Sequence, residues 1–191
     1  MPQRNFSYGK HCQNCPYCNQ AHLINTSYQT TRTLAPVGLE DNGSDTLLVF
    51  QAPGEEEWMK QGIPLYPEIK RGGTAGSRIK LSWEREQKCR NTSSPTRTDY
   101  DIVNVVQCFP DKDPNSNENR DAKPNVMAVC CCSNRLLTIL QQKNYVKIIA
   151  FGDIAQQVLP SLISRLSLQP NFINAPHPTG GTLNTTLDAL W

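Results

Sequence analysis

The chain has 191 residues, which is enough for one domain with a sizeable hydrophobic core. Its hydrophobic content of 38% and net charge of +2 exclude a disordered, highly charged chain, so nucleic-acid binding would have to come from local patches. No apolar stretch approaches the roughly 18 residues that span a bilayer, and no apolar segment follows the N-terminal charges. We therefore expect a soluble, cytoplasmic protein without stable disulfides, in which clustered cysteines indicate metal or redox chemistry.

The first half of the chain predicts two buried strands with a helix between them. Residues 45–51 (DTLLVFQ) form an apolar run of strand length, followed by a Pro-Gly turn and acidic residues that suit a helix N-terminus. Residues 75–87 have a helical composition, 91–98 are a loop, and 100–108 (YDIVNVVQC) are the second strand. Residues 109–124 are too rich in Pro and Asn for regular structure.

The second half continues the alternation of helices and strands. Residues 125–142 have helical spacing of apolar side chains, 145–152 are a strand, 153–166 are a helix and 171–175 are a fourth strand. This alternation predicts an α/β fold with a mostly parallel sheet. Ligands bind such sheets beyond the carboxyl ends of the strands, where QAPGE, NVVQC and APHPTGG are all expected. Three motifs on one rim predict one site.

The cysteines cluster near the N-terminus and in the predicted helix over residues 125–142. The eight are Cys12, Cys15, Cys18, Cys89, Cys108, Cys130, Cys131 and Cys132. A CxxC pair together with two distant cysteines would make a four-thiolate set for zinc or an iron–sulfur centre. Neighbouring residues of a helix point about 100° apart, so at most one of the three consecutive cysteines is expected to bind the same metal. The alternative is a set of reduced, unconnected thiols.

Seven short segments resemble, in order, the motifs of one enzyme superfamily. They are CQNCP from Cys12, FQAPGEEE from Phe50, GIPL from Gly62 with GTAG from Gly73, VNVVQCFP from Val103, NRDA from Asn119, AFGDIAQQVL from Ala150 and HPTG from His177. The chain thus resembles the uracil-DNA glycosylase superfamily, most closely the iron–sulfur branch called family 4. This resemblance implies a single domain over residues 1–191, built as a three-layer α/β/α sandwich with a central, mostly parallel four-stranded sheet.

The resemblance also implies a cofactor. Four cysteines hold a [4Fe–4S] cluster in family 4, and the matching positions here are Cys12, Cys15, Cys108 and Cys130. Residues 10–18 would then contribute two ligands, and the cluster would have a structural role. Cys18 falls outside the family pattern and could replace Cys12 or Cys15.

The resemblance assigns roles in base excision, which needs a flipped nucleotide, a base pocket and stabilisation of the departing base. Asn104 would read the base edge, and His177 would donate to the base O2 as negative charge develops. Gln51 and Ala52 would line the pocket and hold the water, with no Asp at Ala52 to orient it. Glu57 would assist as a catalytic carboxylate, or else it is a helix N-terminal carboxylate stabilised by the dipole.

Further residues are candidates for contacts with base or DNA. Leu65 stands where the family has a Phe that stacks on uracil, with Tyr66 beside it. Gly73, Ala75 and Gly76 would let the backbone approach phosphate. The cations that could add phosphate contacts, or else be solvated surface charges, are Lys70, Arg71, Arg78 and Arg120.

These departures lead to an expectation about the substrate. Compared with family 4, the chain has Leu65 in place of the aromatic residue and Gln51 in place of the usual Glu. It also has extra residues in two loops that should border the pocket. We expect a monomeric, monofunctional DNA glycosylase, without lyase activity because no motif places a lysine nucleophile. The favoured substrate is a bulky modified cytosine, such as glucosylated hydroxymethylcytosine in phage DNA, excised in antiviral defence. The alternatives are ordinary uracil repair and a non-catalytic DNA-binding iron–sulfur protein.

Overall fold

The computed structural model describes residues 12–18, 35–66, 73–90, 95–117, 120–179 and 181–191. Lys70, Arg71 and Asn119, and most of the first extra loop segment, lie outside these residues. Within the described part, four strands form one sheet in the order β2-β1-β3-β4, and every neighbouring pair is parallel. The strands are β1 Thr46–Phe50, β2 Asp101–Asn104, β3 Lys147–Phe151 and β4 Asn171–Ala175.

Helices connect the strands, as the sequence pattern predicts. The α-helices are α1 Ala75–Arg90, α2 Val126–Gln142, α3 Asp153–Arg165 and α4 Asn184–Asp188, with a π-helical turn at Glu57–Gln61 and a 3-10 turn at Arg97–Asp99. Helix α3 continues through Pro160. None of the helices in the described residues is both long and apolar enough to cross a bilayer.

The sheet separates two hydrophobic clusters, because successive strand residues point to opposite faces. Leu47 and Val49 of β1 belong to the cluster that also contains residues of α2 and α3. Leu48 and Phe50 belong to the other cluster, which contains residues of α1 and α4. The expected α/β architecture with helices on both faces of a parallel sheet is therefore confirmed.

The second strand is shorter than its apolar sequence predicts. Beyond Asn104 the chain bends, although the amides of Val105 and Val106 still donate to the carbonyls of Phe50 and Gln51 at 2.8 and 3.0 Å. The reason is that β1 ends at Phe50, so no further strand is available for pairing. The apolar residues after Asn104 are nevertheless buried, which brings Cys108 into the core.

Residues 12–18 fold as two consecutive turns packed against this core. Cys15 N donates to Cys12 O, and Cys18 N donates to Cys15 O, both at 3.0 Å. The backbone N–H of Asn125, at the N-cap of α2, donates to the Tyr17 hydroxyl at 2.7 Å. This contact fixes the N-terminal CxxC segment beside the start of α2.

Candidate functional site

A cavity of about 1020 Å³ lies at the carboxyl ends of the strands. All the residues expected to act in catalysis or to contact the base line it: Gln51, Ala52, Glu57, Leu65, Tyr66, Asn104 and His177. Gly73, Ala75 and Arg120 line it as well. The parallel topology explains this gathering, because β1, β2 and β4 all deliver their following residues to one edge of the sheet.

Glu57 braces two walls of the cavity. Its Oε2 accepts from Gly54 N at 2.9 Å, in the loop after β1, and its Oε1 accepts from Tyr66 N at 3.0 Å, in the segment before α1. Burial raises the pKa of the Glu57 carboxyl to about 7, although both backbone hydrogen bonds act in the opposite direction. The group can therefore exchange a proton near neutral pH.

Asn104 presents an amide with an unused donor. Its side chain is almost completely buried at the end of β2, and its Nδ2 has no hydrogen-bond partner among the described residues. A buried donor without a partner costs roughly 1–3 kcal/mol, which a ligand in the cavity can recover by accepting that hydrogen bond. Such a vacancy in a lining residue is what recognition of a polar ligand edge requires.

His177 follows β4 and faces Gly152 at the end of β3. Gly152 has φ +81°, and a Cβ there would stand 3.3 Å from His177 Cβ, so glycine makes room for the imidazole. His177 Nδ1 accepts from Thr179 N at 3.4 Å, which leaves the ring proton of the neutral form on Nε2. Burial lowers the pKa of His177, and the nearby Asp121 charge opposes this effect. His177 Nδ1 also lies 2.9 Å from Thr179 Oγ1, and a neutral ring that accepts at Nδ1 presents Nε2–H as its donor.

Arg78 acts inside the fold rather than toward solvent. Its guanidinium donates to the carbonyls of Pro178 and Thr182 and to Asn184 Oδ1, the last at 3.2 Å. Thr182 Oγ1 in turn donates to the His177 carbonyl at 2.7 Å. Arg78 thus anchors the loop that carries His177 to helix α1, and its expected phosphate contact stays a prediction.

Gly76 also has a structural role. A Cβ at this buried position would stand 2.1 Å from the Tyr66 carbonyl oxygen, so only glycine lets α1 approach the segment that precedes it. In that segment Leu65 has φ +49°, a conformation that is strained for a branched residue. Arg97 stabilises it by donating to the Leu65 carbonyl at 2.5 Å and to the Pro64 carbonyl.

A polar wall of the cavity was missed by the sequence analysis. Lys112 Nζ lies 2.6 Å from Asp121 Oδ1 and 3.4 Å from Glu55 Oε2, and all three residues line the cavity. Lys112 and Asp121 also form an isolated antiparallel bridge across the long loop. The sequence analysis placed the lengthened loop at the border of the pocket and Asp121 in the NRDA motif, but it gave neither Lys112 nor Asp121 a role of its own.

Several cysteines face one another beside α2. Cys12, Cys15, Cys108 and Cys132 are buried, and the charges of Cys132, Cys15 and Cys12 all act on the Cys108 thiol. Burial raises the pKa of the Cys132 thiol to about 12, opposed by a backbone hydrogen bond from Gln107. Cys130, the ligand position implied by the resemblance, is exposed. Residues two apart on a helix point about 200° apart, so Cys130 faces away from the side that Cys132 occupies.

Arg135 brings a buried positive charge to these thiols. Its Nη1 lies 3.3 Å from Cys12 Sγ, and its charge lowers the pKa of both Cys108 and Cys132 against the effect of burial. Helical spacing places Arg135 on the same side of α2 as Cys132, three residues earlier, and Cys131, four residues earlier. A cation at this place favours thiolates, the form that binds metals.

The donor set fits a thiolate-bound metal centre in its chemistry. Four thiolates around one zinc ion would stand about 3.8 Å apart, given Zn–S bonds of about 2.3 Å in a tetrahedron. In the residues that the structure describes, no three His, Cys, Asp or Glu side chains are grouped so as to hold a metal ion. In a four-iron cluster each cysteine binds a different iron, so the four sulfur atoms lie farther apart than they do around one zinc ion.

Comparison of the chain with models of known protein families and with curated proteins found no match. The family relationship therefore rests on the motifs and enters below as a proposal.

Proposed function

We propose that the protein is a monofunctional DNA glycosylase that hydrolyses the N-glycosidic bond of a flipped pyrimidine and leaves an abasic site. The observation that carries the proposal is the buried Asn104 side chain: Asn104 lines the cavity, and its Nδ2 has no hydrogen-bond partner among the described residues. An amide offers two donors and an acceptor, which matches the mixed edge of a pyrimidine. A flipped base would satisfy the vacant donor.

His177 supplies the second element of the proposed chemistry. A departing base carries negative charge, and a neutral imidazole with its proton on Nε2 would stabilise that charge by donating a hydrogen bond. The bond of Nδ1 with Thr179 and the anchoring of the loop by Arg78 hold the ring in place before the substrate binds. Such preorganisation favours the transition state over the ground state.

The lysine that lines the cavity supports hydrolysis rather than lyase chemistry. Burial lowers the pKa of Lys112, but its bonds with Asp121 and Glu55 raise it more, so the amine stays protonated. A Schiff-base nucleophile needs a neutral amine. We therefore expect an abasic product whose strand is cut only after alkali treatment.

The favoured substrate is a bulky modified cytosine, such as glucosylated hydroxymethylcytosine, and the proposed role is antiviral defence against phage DNA that carries it. Two observations support this preference. The cavity of about 1020 Å³ is at the upper end of ligand sites, and its wall carries Lys112, Glu55 and Asp121, which can bond hydroxyl groups. Ordinary uracil repair is the second candidate, because the Asn104 donor also fits the O4 acceptor of an unmodified uracil.

The cysteines are proposed to hold a [4Fe–4S] cluster that ties the N-terminal turns to α2. Cys12, Cys15 and Cys108 agree with the family positions, and burial favours Cys132 over Cys130 as the fourth ligand. The cluster would cross-link three chain segments: the N-terminal turns, the segment after β2 and helix α2. Arg135 would offset part of the negative charge that four thiolates bring into the core.

The test is alkali-dependent strand cleavage of DNA by the wild type and by the His177→Ala variant. The substrates are a uracil-containing duplex and phage DNA with glucosylated hydroxymethylcytosine, and Thr185→Ala on the exposed face of α4 is the control. Cleavage by the wild type and the control, with loss in His177→Ala, supports the glycosylase. DNA binding without cleavage by any form would leave the non-catalytic DNA-binding protein instead.

A further inference from the structure

Asp121 is held at the cavity by one of its two oxygens. Lys112 Nζ lies 2.6 Å from Asp121 Oδ1, and the backbone bridge between the two residues fixes the base of the side chain. Lys112 is itself held by Glu55 on the other side. The carboxylate therefore has a defined orientation although its side chain is 43% exposed.

The second oxygen faces the loop after β1. Asp121 Oδ2 lies 3.8 Å from the position that a Cβ on Gly54 would occupy. This loop runs Gln51, Ala52, Pro53, Gly54 and contains no carboxylate of its own. Asp121 brings one to the same place from a different part of the chain.

The charge of Asp121 reaches the other ionisable groups of the site. It raises the pKa of Glu57, in the same direction as the larger effect of burial. It also raises the pKa of His177, which opposes the larger, lowering effect of burial. Glu57 differs from Asp121, since both of its oxygens accept backbone N–H groups and hold the walls of the cavity. Asp121 lines the cavity as well, and its Oδ2 lies toward the loop that carries Gly54.

We propose that Asp121 is a catalytic residue, the general base that activates the attacking water. This inference rests on the proposed glycosylase function. As the bond between the sugar C1′ and the base nitrogen breaks, the base leaves with the electron pair and the water oxygen bonds to C1′. Asp121 Oδ2 accepts one water proton and passes it to solvent, and the base anion takes up a proton, so the sum is addition of one water across the glycosidic bond.

The experiment compares single-turnover excision by Asp121→Asn and Asp121→Ala with that by the wild type. The DNAs are a duplex oligonucleotide with one deoxyuridine and glucosylated phage DNA. Asp113→Asn is the matched control, because it removes the same charge from the same loop at a residue that does not line the cavity. Binding to each DNA is measured in parallel by fluorescence anisotropy.

The expected result is a loss of about 100- to 10,000-fold in the rate for Asp121→Asn, with DNA affinity and the rate of Asp113→Asn nearly unchanged. Added formate should partly restore Asp121→Ala and leave Asp113→Asn unaffected. A rate for Asp121→Asn within about threefold of wild type overturns the inference, and so does a large loss that formate does not restore. A wild type that excises neither base refutes the proposed function itself, which is a different outcome.

Discussion

Replacing Glu57 by Gln should remove a pH-dependent part of the stability of the fold. The native pKa of about 7 lies above the ordinary value of 4.5, so the folded protein binds this proton more tightly than the unfolded chain does. The stabilisation by the protonated carboxyl is fully present below pH 4.5 and is lost as the pH rises through 7. From about pH 5 to about pH 8 the loss amounts to about 2.5 kcal/mol.

The assay is urea unfolding at several pH values across this range for the wild type and for Glu57→Gln. An amide keeps one acceptor oxygen, so the variant loses one of the bonds from Gly54 N and Tyr66 N, an offset of about 1 kcal/mol at every pH. The test is therefore how the difference in the free energy of unfolding between the wild type and Glu57→Gln changes with pH. Titration of His177 contributes to both curves and largely cancels.

Glu84→Gln, which removes a half-exposed carboxyl from α1, provides the baseline for loss of one negative charge. The account expects wild type to weaken relative to Glu57→Gln as the pH rises, by about 2.5 kcal/mol in total. A difference that stays constant across the range would refute the argument that burial of Glu57 outweighs its two backbone hydrogen bonds.

Four further predictions concern single residues of the site and the cysteine cluster. His177→Ala should slow excision by about 100- to 1000-fold with little loss of DNA affinity, measured by single-turnover rates and anisotropy. Asn104→Asp should change which base is released, because an acceptor replaces the vacant donor, and an unchanged base preference would contradict base recognition. Arg78→Met should lower the excision rate by about 100-fold through displacement of the His177 loop, whereas a phosphate contact would instead weaken binding in a salt-dependent way. Cys132→Ser should lose iron and the broad absorbance of the cluster, whereas Cys130→Ser should keep both. Metal analysis and absorbance spectra of the purified proteins measure this, and the reverse result would indicate that Cys130 is the ligand.

The alternation of apolar strands and helices was sufficient to predict the sheet and its two covering layers. Periodicity could not predict where β2 ends, because its apolar run continues to Cys108, whereas its hydrogen bonds to the β1 segment end with Val106 N to Gln51 O. Helix α4 was missed since its five residues are too few to show a period. The end of a strand depends on its neighbour, which lies far away in the sequence.

The three motifs that follow strands of the parallel sheet were sufficient to predict that Gln51, Asn104 and His177 line one cavity. Motifs could not distinguish a basic residue that contacts DNA from one that holds a loop, as Arg78 does. The orientation of Cys132 rather than Cys130 toward the other thiols depends on the rotation of α2 about its axis, which three consecutive cysteines do not specify. Asp121 reaches the site through a bridge between two parts of a loop without regular structure.

The measurement that tests the central claim most directly is identification by mass spectrometry of any base released from DNA by the purified wild type. Uracil-containing duplex, unmodified DNA and glucosylated phage DNA are incubated with the wild type and with Asn104→Asp. The account predicts release of a free pyrimidine base from a modified DNA, with glucosylated hydroxymethylcytosine favoured over uracil, and a changed base preference in the variant. Absence of any free base from all three DNAs, with an intact, folded protein, would contradict the glycosylase.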